Sequence, residues 1–324
     1  MKKKLRVGVI GGGSSSEREV SLLGSRVVAA ALPKTKYAVA LIDVGKDSDA
    51  LYKKIKSIDV AFLVMHGRDA EDGRIQGFLE MLGIPYTGSG IAASALAFDK
   101  ARTQALVSMA GVRIPKSISI SKKESLDFLK LKRKIRKIFS YPIVVKPNAS
   151  GSSIGVSIVK NETDLLKALA ASFKESEDIL LEQYIAGREF SCAVMGNSGQ
   201  TNIEALPPIE IISEGSEFFD YKAKYFSKTT QEICPAPATK KLTALIKETS
   251  VCVHELLGCD GLTRSDFMLD SRNNLYFLEI NTIPGQTEAS LAPKAARAHG
   301  LTFAAFLEKQ IILAIKKHNP QKIR

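Results

Sequence analysis

The apolar positions of this chain change period repeatedly, and each change marks an element. Residues 5–10 form a short apolar run, whereas Val20, Leu23, Val27 and Ala31 recur at helical spacing across residues 17–32. Runs at 37–44 and 60–65 bracket a helical segment at 50–55, and a further helix is expected at 74–82. Strands alternating with helices at this spacing predict a Rossmann-like unit around a parallel sheet. Residues 90–115 read as helical. A strand at 116–120, a helix at 125–139 and a β-branched run ending on Lys146 come next. After a Gly/Ser tip the chain returns as a strand up to residue 159, then a helix at 162–173 and strands at 178–185 and 188–195. Residues 213–231 have no period and are long for a loop inside a compact domain. Helices at 239–257 and 303–317 flank a hairpin.

That hairpin organises the chain. Alternating runs at 267–269 and 275–280 enclose Ser271-Arg272-Asn273-Asn274, a cluster of turn formers. A turn centred between Arg272 and Asn273 sets Asp266 opposite Glu279 and Arg264 opposite Asn281. Side chains two apart share a face, so all four project from one side of the ribbon. Opposed carboxylates repel unless positive charge lies between them. The hard oxygens of Asp266, Glu279 and Asn281 therefore suit magnesium completed by phosphate and water. A one-residue slip would break this set.

Two loops offer further chemistry. Residues 11–16, Gly-Gly-Gly-Ser-Ser-Ser, join the first strand to the first helix, whose N-terminus could hold an anion. The dinucleotide fingerprint fails there, because Ser16 replaces its third glycine. Glu17 and Glu19 would repel phosphate, and taken alone they complement the helix dipole. His66-Gly67 follows a strand at its C-terminal end, where open α/β sheets bind ligands. In residues 146–155 a lysine precedes a small-residue tip that lets backbone N–H groups approach phosphate.

Composition narrows the class. The chain has 324 residues, 45% of them hydrophobic, enough for two or three domains. Its mean hydropathy is zero. No apolar run approaches the ~20 residues of a membrane helix. The lysine-rich start imitates a signal sequence, but its apolar segment is short and runs into glycines, so a cytoplasmic protein is expected. Cys192, Cys234, Cys252 and Cys259 have neither zinc spacing nor a disulfide framework. The net charge of +12 is partly concentrated in residues 122–137, without aromatic interleaving or a nucleic-acid motif. It favours a small anionic substrate over nucleic acid.

Placed in order, these pieces resemble the D-alanine–D-alanine ligases of the ATP-grasp superfamily. The resemblance rests on Gly-Gly-Ser-Ser-Ser-Glu-Arg-Glu-Val-Ser at 12–21, His-Gly with Glu-Asp-Gly at 66–73, Asp-Lys at 99–100 and Val-Lys-Pro with Gly-Ser-Ser-Ile-Gly at 145–155. It continues through Glu-Gln-Tyr-Ile and Glu-Phe at 182–190, Asp-Tyr and Lys-Tyr at 220–225, the hairpin, and Pro-Gly with Ser-Leu at 284–291.

The resemblance implies a mixed α/β, three-domain ATP-grasp fold: a Rossmann-like substrate domain at 1–98, a central subdomain at 99–185 and a catalytic domain at 186–324. It implies that Lys100 and Lys146 bind the α- and β-phosphates under a loop containing Ser152 and Ser153. Adenine would meet Glu182 and the backbone of Gln183, Tyr184 and Ile185, the ribose Glu189, and the γ-phosphate Lys224. Asp266, Glu279 and Asn281 would hold two Mg²⁺ or Mn²⁺ ions. Glu17 would take the first substrate's ammonium near His66, in a triad with Ser152 and Tyr225. Arg264 and the Gly285 N–H would stabilise the oxyanion, while Ser290 and Leu291 receive the second carboxylate. The expected activity is ATP-dependent joining of two D-alanines through a D-alanyl phosphate, for peptidoglycan precursors. Tyr225 implies D-alanine rather than D-lactate as second substrate. A homodimer using D-alanine and ATP, with no nucleic acid or membrane partner, completes the expectation.

Overall fold

The computed structural model describes residues 3–45, 48–151, 154–213 and 230–318. The first unit runs β1 (Leu5–Gly12), α1 (Arg18–Ala31), β2 (Tyr37–Val44), α2 (Ser48–Lys56), β3 (Val60–Leu63) and α3 (Arg74–Met81). β1 lies between β2 and β3 and is parallel to both. It is buried on both faces, which explains its unbroken apolar run. Val7 and Val9 enter one core, while Ile10 enters another with Ile42, Ile55, Leu63 and Tyr86.

Next come α4 (Ile91–Phe98) and α5 (Lys100–Met109), where a single helical stretch is expected. The break falls at Asp99. Its backbone is extended, and its carboxylate accepts from the Arg102 N–H at 3.0 Å, capping α5. Lys100 thus becomes the first residue of a helix.

A four-stranded antiparallel sheet follows: β4 (Ser117–Ser121), β5 (Ile143–Pro147), β6 (Ser157–Val159) and β7 (Asp178–Gln183), in spatial order β4-β7-β5-β6. Helices α6 (Phe128–Ile138) and α7 (Leu165–Ser172) cover one face. They pack Leu131, Ile135, Leu165 and Leu169 against Ile143, Val145, Ile179 and Leu181. Strand alternation then sends Lys146 and Glu182 to the opposite face.

The third sheet contains β8 (Gly187–Asn197), β9 (Glu204–Ala205), β10 (Ile209–Ser213), β11 (Thr230–Ile233), β12 (Asp260–Asp270) and β13 (Leu275–Asn281). Its order is β11-β10-β8-β12-β13, with β9 also paired to β8. Strands β9, β10 and β11 were not expected; they are short and flank residues without period. α8 (Lys240–Leu256), α4 and α5 cover one face through Ile246, Val253, Ala93, Ala97 and Val107. On the other, α9 (Leu291–Ala298) and α10 (Phe303–His318) join Ala193, Met195 and Leu262 to Val7, Val9 and Val28 of the first unit. Alternation along β8 serves both sides, because Phe190, Cys192 and Val194 face the first core while Ala193 and Met195 face the second. No single described helix is long and apolar enough to cross a membrane.

Candidate active site

The hairpin pairs Arg264 with Asn281 and Asp266 with Glu279, as the turn chemistry predicts. The route differs from the expectation. Asp270 and Asn274 close a loop centred on Arg272: the Asp270 N–H donates to the Asn274 carbonyl at 3.0 Å, and the Asp270 carboxylate accepts from the Arg272 and Asn274 N–H groups at 2.9 and 2.8 Å. Asn273 takes a φ of 61° in this turn. Phe267 then faces Phe277 while Asp266 faces Glu279, so Leu278 is one extra residue on β13. This bulge restores the pairing that a tighter count from the turn would lose.

On the neighbouring strand Ser191 faces Asp266, and its hydroxyl donates to Asp266 Oδ1 at 2.6 Å. Arg264 grips the same carboxylate from two residues away, with Nε to Oδ1 at 3.0 Å and Nη2 to Oδ2 at 2.8 Å. Lys100 Nζ lies 3.5 Å from Glu279 and donates to the Ser150 carbonyl at 2.6 Å. The Asn281 side-chain oxygen accepts from the Ile283 N–H at 2.8 Å. Among the described residues no three His, Cys, Asp or Glu side chains group as a metal cage. The hairpin donors are instead two carboxylates and one amide, hard oxygens that fit a cation shared with phosphate.

Across from the hairpin, on the four-stranded sheet, buried Lys146 places Nζ 2.8 Å from Glu182 Oε2. Glu182 and Gln183 end β7, and Ile185 just beyond is buried. Glu189 lies on β8, paired with Met268 and Ile211.

Between the sheets and the first unit is a cavity of about 250 Å³, a size for small substrates. Its lining brings together Glu17, His66, Lys100, Arg264, Glu279, Asn281, Gly285, Ser290 and Leu291, nine of the residues expected from sequence. Glu17 is buried at the start of α1. A Cβ on Gly151 would collide with its carboxylate, so Gly151 packs directly against Glu17 and a larger residue there would have to displace that side chain. Gly285 is equally constrained, because the Ser290 side chain occupies the space beside it. The Ser290 hydroxyl oxygen accepts from the Thr287 N–H at 3.2 Å and lies 2.9 Å from the Thr287 hydroxyl, fixing the loop before α9. Behind this loop Gln286 and Gln310 exchange two hydrogen bonds of 3.1 Å, both side chains being buried. Ser152, Ser153, Lys224 and Tyr225 lie outside the described residues.

Two carboxylates in the lining had no role assigned from sequence. Glu71 accepts from the Gly67 N–H at 2.8 Å, and burial, then the Glu17 carboxylate, push it up to about 8. Glu232 on β11 is paired with Lys294 of α9. Glu71 had a signal in the Glu-Asp-Gly after His66; Glu232 had none. Burial also holds the His66 imidazole below its ordinary range, against the opposing pull of Glu17.

Lys146 and Glu182 on one sheet, Lys100 at the start of α5 and the acidic hairpin of a second sheet, beside a small cavity, make the arrangement of a ligase of the ATP-grasp class. Solved structures bear this out. A D-alanine–D-alanine ligase from Bacillus anthracis complexed with ATP matches at a TM-score of 0.83 and 32% identity, over 98% of this chain and 99% of that one. The VanG D-Ala:D-Ser ligase from Enterococcus faecalis matches at 0.82 and 30%, over 96% and 100%. The family "D-ala D-ala ligase N-terminus" matches residues 46–89, and "D-ala D-ala ligase C-terminus" matches 106–312. A D-alanine–D-alanine ligase from Pelotomaculum thermopropionicum is 43% identical over 96% of this chain and 97% of its own length. One from Syntrophobacter fumaroxidans is 42% identical over 97% and 99%. The chain belongs to the D-alanine–D-alanine ligase family.

Proposed function

We propose that the protein joins two D-alanines with ATP, releasing ADP and phosphate, to supply a peptidoglycan precursor. The observation that supports this is that one cavity brings together Glu17, Lys100, Arg264, Glu279 and Gly285, which suit an ammonium, a phosphate and an oxyanion. The first D-alanine sits with its ammonium against Glu17 and its carboxylate toward Lys100. His66, neutral at physiological pH, adds no charge that would compete for Glu17. The carboxylate oxygen attacks the γ-phosphorus, the bond to the β-phosphate oxygen breaks, and ADP leaves. Lys100 and Lys146 hold the phosphates in line, the base lies at Glu182 and residues 183–185, and the ribose lies at Glu189. Asp266, Glu279 and Asn281 would hold two Mg²⁺ or Mn²⁺ ions, which when bound neutralise phosphate charge.

The second D-alanine places its carboxylate at Ser290 and the start of α9, at Leu291, where helix N–H groups favour an anion. Its free amine attacks the carbonyl of the acyl phosphate. Arg264 and the Gly285 N–H stabilise the oxyanion, and phosphate departs as the peptide bond forms. We assign Ser152, Ser153, Lys224 and Tyr225 to the closing loops by resemblance alone. The segments 1–98, 99–185 and 186–324 are the proposed domains, supported by one sheet in each. A cytoplasmic homodimer that uses neither nucleic acid nor membrane completes the reading. Phosphate release tests it: release must require both ATP and D-alanine. Release that is indifferent to D-alanine would contradict it.

A further inference from the structure

We infer that Gln104 is a positioning residue that ties the nucleotide-side strand β7 to the metal-side hairpin. The inference deepens the ligase reading and rests on it. Gln104 lies on the buried face of α5 between Thr103 and Val107, and it is 1% exposed. A polar side chain that deep is retained only with partners. Its Nε2 donates to Glu182 Oε1 and, at 3.1 Å, to the Leu278 carbonyl. Its Oε1 accepts from the Ser117 hydroxyl at 3.0 Å. Both amide hydrogens are therefore used, and the two acceptors fix which end of the amide carries nitrogen.

The positions of the two acceptors give the contact its meaning. Glu182 uses its other oxygen to hold Lys146 at 2.8 Å. Leu278 is the extra residue of the bulge, and the carbonyl that Gln104 binds immediately precedes Glu279. A continuous path thus runs from Lys146 through Glu182, Gln104 and Leu278 to Glu279, spanning the four-stranded and six-stranded sheets. Lys100 stands four residues earlier on the same helix face, 3.5 Å from Glu279. One helix face therefore sets both the separation of the two sheets and the aim of the bulge. Without the amide, a buried carboxylate oxygen and a bulge carbonyl each lose a donor, and both ends of the nucleotide site lose alignment together.

The test uses the full-length protein in a D-alanine-dependent phosphate-release assay. Gln104→Leu removes the donors, Gln104→Lys restores donation to both acceptors, and Ser117→Ala frees only the oriented end. The expected result for Gln104→Leu is a rise of about tenfold in both the ATP KM and the half-saturating Mg²⁺ concentration, with the D-alanine KM within about twofold. Gln104→Lys should recover most of this loss, and Ser117→Ala should show the same paired rise at about threefold. Equal nucleotide and Mg²⁺ requirements in Gln104→Leu and the parent would overturn the inference, as would a lowered Tm as the sole change. Should Gln104→Leu fail to fold, unchanged constants in Ser117→Ala, or a tenfold loss persisting in folded Gln104→Lys, would overturn it equally. A parent enzyme without D-alanine-dependent release would instead overturn the ligase reading.

Discussion

Asp266 and Glu279 face one another across β12 and β13 because Leu278 is inserted between them and the turn. Counted from the loop centred on Arg272 with no residue bulged out, Asp266 would face Leu278, and Glu279 would turn to the opposite side of the ribbon. The bulge re-aims a carboxylate into the cavity, a recurrent use of bulges beside active sites.

Glu279→Gln should lower turnover about a hundredfold or more while leaving the circular dichroism spectrum and Tm near those of the parent. Glu279 is 30% exposed, so an amide fits without burying a new unpaired group. Asp266→Asn should raise the Mg²⁺ requirement. Near-normal turnover of Glu279→Gln at low magnesium would remove the hairpin from the mechanism.

Lys146→Ala should weaken ATP use by more than about tenfold, whereas Lys134→Ala should change it by less than about twofold. Lys146 is buried against Glu182, while the Lys134 side chain is 44% exposed on a solvated helix. The check is the ATP KM and kcat of both variants. Equal small effects would return Lys146 to a structural role.

Glu71 binds a proton in the folded protein between about 4.5 and about 8, where the unfolded chain has lost it. The folded state binds more protons across this window, so this group makes stability fall as pH rises through it. Glu71→Gln keeps the acceptor for the Gly67 N–H and removes the titration. Its Tm relative to the parent should climb by about 5 °C from pH 5 to pH 8. A difference independent of pH would show that Glu71 is not held neutral.

Gln286→Met should cost about 2 kcal/mol, because Gln310 is left buried with neither of its bonds to the partner amide. The pair Gln286→Met with Gln310→Leu should regain part of that loss. Since Gln286 adjoins Gly285, the single change should also raise the KM for the second D-alanine more than that for ATP. Urea unfolding and initial rates measure both effects, and strict additivity of the two substitutions would exclude coupling.

Much of the site was legible because strand alternation and turn chemistry are local. Ser271 to Asn274 announced the turn, and the spacing of 264, 266, 279 and 281 assigned one face. The bulge at Leu278 was not legible, since its carbonyl is bonded by Gln104, 174 residues away. Nor was the break at Asp99 read as one, because the flanking apolar positions continue a helical pattern while the capping carboxylate belongs to the next helix. Strands β9, β10 and β11 are held by pairing with distant β8 and with each other, which short runs of sequence do not reveal. Glu232 became visible only when α9 brought Lys294 beside it.

Product analysis tests the central claim most directly. The protein is supplied with ATP, Mg²⁺ and equal D-alanine, D-serine and D-lactate from about pH 6 to 9, and the products are identified by mass. The account predicts D-alanyl-D-alanine as the main product, rising with pH as the α-amino group of the second D-alanine loses its proton, a loss that cationic Arg264 favours. It also predicts one phosphate and one ADP per peptide. Mostly D-alanyl-D-lactate or D-alanyl-D-serine near neutral pH, or phosphate release without any ligated product, would contradict it.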